Sequence, residues 1–217
     1  MKIARKQTFF WLSLLVCLPL IFSTGCVLSQ LIYVLRGHKV DADFQGLANK
    51  KVAVICMSDM KAFGADSLAT TVSKTIGLKM QTSIKKIQVV PHDRIEDWMD
   101  NNDWNRKDFV KVGRGVGAQM VVAIDISQYS IHEGMTLYKG RSTVRVTVYD
   151  VEKGGTVVFE KGPEEYSFPS TGRPAIQTND RNFEAVYLAK LTEHISNYFC
   201  DHDALDRVAE DASLLNY

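Results

Sequence analysis

In the second half of the chain the hydrophobic pattern settles into strict alternation. Val144, Val146 and Val148 alternate with Thr143, Arg145, Thr147 and Tyr149, the period of two of a β-strand with one covered face and one wet face. Similar stretches flank it, so Met120 to Ile131, Ser142 to Val151 and Thr156 to Phe168 read as three long strands. Glu152-Lys153-Gly154-Gly155 supplies the residues of a tight hairpin turn between the last two. If the first hairpin turns near Met135, Asp125 stands opposite Arg145 on the wet face. An exposed pair of this kind fixes register more than it stabilises.

The first half has a different rhythm. Val52 to Met57 is a continuous apolar run, suited to a strand covered on both faces. Asp59 and Asp66 then offer caps to a helix with Ala65, Leu68, Ala69, Val72, Ile76 and Met80 on one stripe. Ile87 to Val90 is a second short strand, stopped by Pro91. Asp93 and Glu96 have capping-box spacing for a helix through Met99, and Lys107 to Val116 reads as another helix running into Gly117. Asp180 caps a last helix with Phe183, Val186, Tyr187, Leu191, Ile195 and Tyr198 on its inner stripe. The order βαβ-α-α-βββ-α predicts a two-layer α/β domain over residues 51–200, with a tail at 201–217. Its mixed five-stranded sheet is parallel in the first half and an antiparallel meander in the second, with helices mainly on one face.

Ahead of this domain, Lys2, Arg5 and Lys6 precede the uncharged apolar run Phe9 to Phe22, 14 residues long. That is short for a helix crossing about 30 Å of hydrocarbon. Ser23-Thr24-Gly25-Cys26 follows. The ending resembles the lipobox of bacterial lipoproteins, with Ser23 standing where Leu is usual. The resemblance implies a signal peptide over residues 1–25, a diacylglycerol-bearing Cys26 as the mature N-terminus, and a membrane-proximal segment over 26–50. Val27 after the cysteine, in place of Asp, resembles lipoproteins sorted to the outer membrane. The competing reading is an uncleaved anchor, because Phe9 to Leu35 is 27 residues without a charge. Both readings attach the chain to a lipid bilayer with its domain outside the cytoplasm. Three of the 26 basic residues and none of the 25 acidic ones fall in the first 26 positions, leaving the rest with a net charge near −2. No basic footprint for nucleic acid is present.

The element order also resembles the α/β domain shared by the amino-terminal part of the Tol translocation protein, the curli-secretion lipoproteins and the penicillin-binding-protein activator lipoproteins. The local likeness lies in Val112-Gly113-Arg114-Gly115-Val116-Gly117-Ala118-Gln119-Met120-Val121-Val122 and in the strand from Tyr138-Lys139-Gly140 to Tyr149-Asp150-Val151. It implies a non-enzymatic role in the cell envelope through contact with another envelope protein, with no cofactor.

Few side-chain constellations suggest chemistry. Gly113-x-Gly115-x-Gly117 ends a helix and lacks a following Lys-Ser/Thr, so a C-terminal cap is favoured over a phosphate loop. Asp97, Asp100, Asn102 and Asp103 lack the glycine and distal glutamate of a calcium loop, and Cys200, His202 and Asp203 lack a second zinc-spaced pair. No metal is expected. Cys56 and Cys200 either form a disulfide or are two buried thiols, the second being favoured. Trp98 and Trp104 flank the acidic loop and are partner contacts or lids on the sheet. Arg173 belongs to the irregular stretch Pro169 to Pro174, a second contact surface. A tethered enzyme or ligand-binding protein would instead place a cleft at the strand ends near Asp59 and His92.

Overall fold

The computed structural model describes residues 39–59, 65–102, 104, 108–174 and 178–203. Its elements are β1 (Lys39–Val40), β2 (Lys51–Ser58), α1 (Ala65–Ser83), β3 (Gln88–Val89), α2 (His92–Asn101) and α3 (Phe109–Val116). They continue with β4 (Met120–Glu133), β5 (Leu137–Asp150), β6 (Thr156–Pro174), α4 (Asp180–Ser196) and β7 (His202–Asp203). The fold is an α/β open sheet of five strands in the order β3-β2-β4-β5-β6. β2 runs parallel to β3 and β4, whereas β4–β5 and β5–β6 are antiparallel. β1 and β7 form a separate two-residue antiparallel pair.

The continuous apolar run of β2 is covered on both faces. Val52 and Val54 join the larger core with Leu68, Val72, Ile76 and Met80 of α1 and Phe183, Tyr187, Leu191 and Ile195 of α4. Ala53 and Ile55 join a second core with Ile95 of α2 and Val112 and Val116 of α3. The long helices α1 and α4, of 19 and 17 residues, therefore share one face, while α2 and α3, of 10 and 8, cover the other behind β2 and β4. This adds a partial third layer at the parallel end. Beyond it, among the described residues, no helix covers the second face around the half-buried Thr143 and the exposed Arg145.

Asp125 pairs with Arg145, as the alternation and a turn near Met135 require. Gly117 caps α3 in the left-handed conformation at φ 68°, its N–H donating to Arg114 O at 3.1 Å while Ala118 N–H donates to Gly113 O at 2.8 Å. A glycine meets that φ without the clash a Cβ would bring.

Four local expectations are corrected. β6 continues to Pro174, with Arg173 opposite Tyr138 and Pro174 opposite Leu137. Pro169 and Pro174 suggest a loop, but β6 is the outermost strand, where a proline's missing N–H need not cost a ladder bond. The N-cap of α4 is Asn179, which accepts from Asn182 N–H at 3.0 Å. Asp180, one residue later, instead accepts the hydroxyl proton of Tyr138. Asp93 and Glu96 form no capping box on α2, whose N-cap is Pro91; Asp93 pairs with Lys74 at 3.0 Å. Val186 is 43 % exposed, outside the inner stripe of α4.

Candidate functional site

The carboxyl end of β2 opens between α1 and α2 into a cleft of about 650 Å³. Cys56, Ser58, Thr70, His92, Glu96 and Trp104 are among its lining residues. The strand delivers Cys56 and Ser58, α1 delivers Thr70, and α2 carries His92 and Glu96 one turn apart on the same side. His92 therefore reaches the cleft of the enzyme reading, while Asp59 is exposed at the strand end and outside the lining.

His92 Nδ1 lies 3.1 Å from Ser73 Oγ. The Ser73 hydroxyl is also placed to donate to its own helix at Ala69 O, 2.8 Å away, and the direction of the Ser73–His92 contact follows the ring tautomer. His92 Nε2 sits 2.9 Å from Glu96 Oε1 but off the line of a hydrogen bond, and Glu96 Oε1 accepts from Thr70 Oγ1 at 3.0 Å. By composition this is serine, histidine and a carboxylate. By geometry it is a strut between α1 and α2: Ser73 is 2 % exposed and lies outside the cleft lining. Cys56, which does line the cleft, is not an activated nucleophile. Burial pushes the Cys56 thiol far up, with a further rise from the Asp125 charge, the opposite of an activated thiolate.

Cys56 and Cys200 are both free, so no disulfide joins them. Cys56 is half-buried on β2 and Cys200 is buried just after α4. Burial raises the Cys200 thiol too, against a hydrogen bond from Ser83 and the charge of Lys79.

Both tryptophans fold onto the second core. Trp98 lies over Gly115, where a Cβ would strike the indole. Trp104 Nε1 donates to Asp108 O at 3.0 Å, and its ring packs 5.9 Å from Phe109, itself stacked 6.2 Å from Tyr149. Each is half-buried and keeps part of its ring exposed. Arg173 sits on β6 by register, and its side chain lies outside the described residues. The same holds for Cys26, the whole stretch from Phe9 to Leu35, Asp66, Asp103 and the tail from 204 onward. Among the described residues no three His, Cys, Asp or Glu side chains converge as a metal site, and no helix is long and apolar enough to cross a membrane.

A second polar cluster escaped the sequence reading. On β6, Glu164 accepts from the Tyr198 hydroxyl and lies 2.7 Å from His194 Nε2, while Tyr166 stacks on His194 at 4.5 Å. Burial alone would raise the Glu164 carboxyl, but the hydrogen bonds from Tyr198 and His194 and the charge of His194 hold it below the usual range. Thirty residues separate His194 from Glu164, and no local spacing announces that meeting.

No protein-family model matches the sequence, and no curated protein matches it. Similar solved structures include a lipoprotein from Neisseria meningitidis, 12% identical over 68% of this chain and 98% of that one, with a TM-score of 0.44. The PelC dodecamer subunit from Paraburkholderia phytofirmans is 11% identical over 75% and 95%, with a TM-score of 0.40. The LpoB C-terminal domain from Salmonella enterica is 12% identical over 62% and 88%, with a TM-score of 0.36.

Proposed function

We propose that the protein is a lipid-anchored component of the bacterial cell envelope, held in the bilayer through acylated Cys26. Its α/β domain acts outside the cytoplasm as a non-enzymatic binding or scaffolding module for another envelope protein. The observation that carries the reading is Ser23-Thr24-Gly25-Cys26 at the end of an apolar run preceded only by positive charge. The non-enzymatic part is supported by the raised Cys56 thiol in the cleft and by the contact that ties His92 to the buried Ser73. Trp98, Trp104 and Arg173 are the proposed partner contacts.

Intact mass and N-terminal peptide analysis of the protein extracted from its own membranes test the anchor. A chain beginning at acylated Cys26 is expected. An unmodified chain retaining residues before Cys26 would replace the lipid anchor with a transmembrane one over Phe9 to Leu35.

A tethered ligand-binding protein is the second reading, favoured by the cleft beside His92 and Glu96. A small molecule whose binding is abolished by His92→Ala in a folded variant would establish it in place of the first.

A further inference from the structure

Residues 39–50, ahead of the sheet, are not a free tether. Lys39 and Val40 pair with Asp203 and His202, and Ala42 N–H donates to Asp201 Oδ1 at 3.1 Å. Phe44 N–H donates to Tyr198 O at 2.8 Å, and its ring packs 5.3 Å from Phe159 and 6.5 Å from Phe199. Leu47 is fully buried, and Asn49 N–H donates to Lys85 O at 3.3 Å. The chain is thus clasped to one end of the domain from Lys39 onward. That end also holds the last turn of α1, the exit of α4 and the Asp150 to Thr156 turn.

The last uncharged residue of the N-terminal stretch is Leu35, and only Arg36, Gly37 and His38 separate it from Lys39. Even fully extended, the chain from Leu35 to Lys39 reaches at most about 14 Å. From the clasped end β5 runs 14 residues to Leu137, or about 45 Å at the rise of a strand. The reach of the linker is therefore a fraction of the domain's own length.

We propose that the β1–β7 end of the domain rests against the bilayer surface. The β4–β5 hairpin, with the neighbouring end of β6, then points away from the membrane toward partners. This rests on the reading of the N-terminal stretch as a membrane anchor: it holds for a transmembrane Phe9 to Leu35, and for a lipid on Cys26 with the uncharged run Val27 to Leu35 lying in the interface beside it. The clasped end carries charges of both signs, Lys39, Lys85 and Lys86 with Asp41, Asp201 and Asp203. Linker length, not attraction to anionic lipid, sets the orientation. The exposed Val40 suits a surface close to the interface.

The test uses the full chain in phosphatidylcholine–phosphatidylethanolamine vesicles containing a headgroup-labelled acceptor lipid. A fluorescent amino acid is placed at Lys86 in one variant and at Met135, 97 % exposed on the hairpin turn, in another. Energy transfer is expected to be at least about threefold stronger from position 86, given a separation on the order of 45 Å. The contrast is expected to persist in about 0.5 M salt, where surface charges are screened. Equal or reversed transfer with the chain bound to vesicles overturns the orientation alone. A contrast lost in high salt overturns linker length as its cause. A chain that does not remain with the vesicles overturns the anchor reading together with it.

Discussion

Tyr187 is fully buried on α4 and yet carries a hydroxyl, so the packing around it has to answer for both. Its ring lies against Gly140 of β5, the one strand position there where a Cβ would run into the ring itself. Its oxygen is 2.8 Å from Ser142 Oγ and 3.2 Å from Tyr166 O. Tyr187→Phe leaves Ser142 without this partner inside the core and is expected to cost about 1–2 kcal/mol in a urea melt. Gly140→Ala is expected to cost about 1–3 kcal/mol through overpacking. The two free thiols make a separate residue-scale prediction. Because Cys56 and Cys200 are unbonded, adding reductant is expected to leave the thermal midpoint unchanged, and alkylation of the unfolded chain should modify both. A lower midpoint in reductant would mean that the bond exists in the native protein.

At the level of elements, the anchoring of β6 to α4 depends on an ionised carboxylate. Glu164 is held below the usual carboxylate range in the folded state, so its contribution is complete above the unfolded value of about 4.3 and is lost as pH falls through the folded one. Glu164→Gln is therefore expected to lower the melting temperature at pH 7, with the gap to the parent protein closing as the pH is taken down toward 3. A gap constant across that range would show that the Tyr198 and His194 contacts do not depend on charge. How legible such features were depended on their range. The Asp125–Arg145 register follows from alternation and one turn, both local. The apolar run of β2 announces cover on both faces, though not that α2 and α3 supply the second. Pro169, Gly172 and Pro174 look like a loop until β5 is known to reach Leu137 and offer them a partner strand. The Ser73–His92–Glu96–Thr70 strut was legible only as a histidine before a helix, since the other contacts depend on how α1 crosses α2.

For the molecule as a whole, the clasp and the orientation can be separated by experiment. If the short linker orients the domain, lengthening it should release the orientation without touching the fold. Twelve Gly/Ser residues inserted between His38 and Lys39 add a flexible span of about 20 Å root-mean-square. The urea midpoint is expected to stay where it was, because the pairing of β1 with β7 and the packing of Phe44 lie on the domain side of the insertion. The transfer contrast between positions 86 and 135 is expected to shrink toward equality. Phe44→Ala perturbs the other half of the device. Phe44 is half-buried, so its removal is expected to cost about 2 kcal/mol, below the range for a fully buried ring, and to loosen the clasp while the linker keeps its length. If the insertion left the contrast intact, contacts between the clasped end and the lipid would hold the domain in place, and linker length would lose its role.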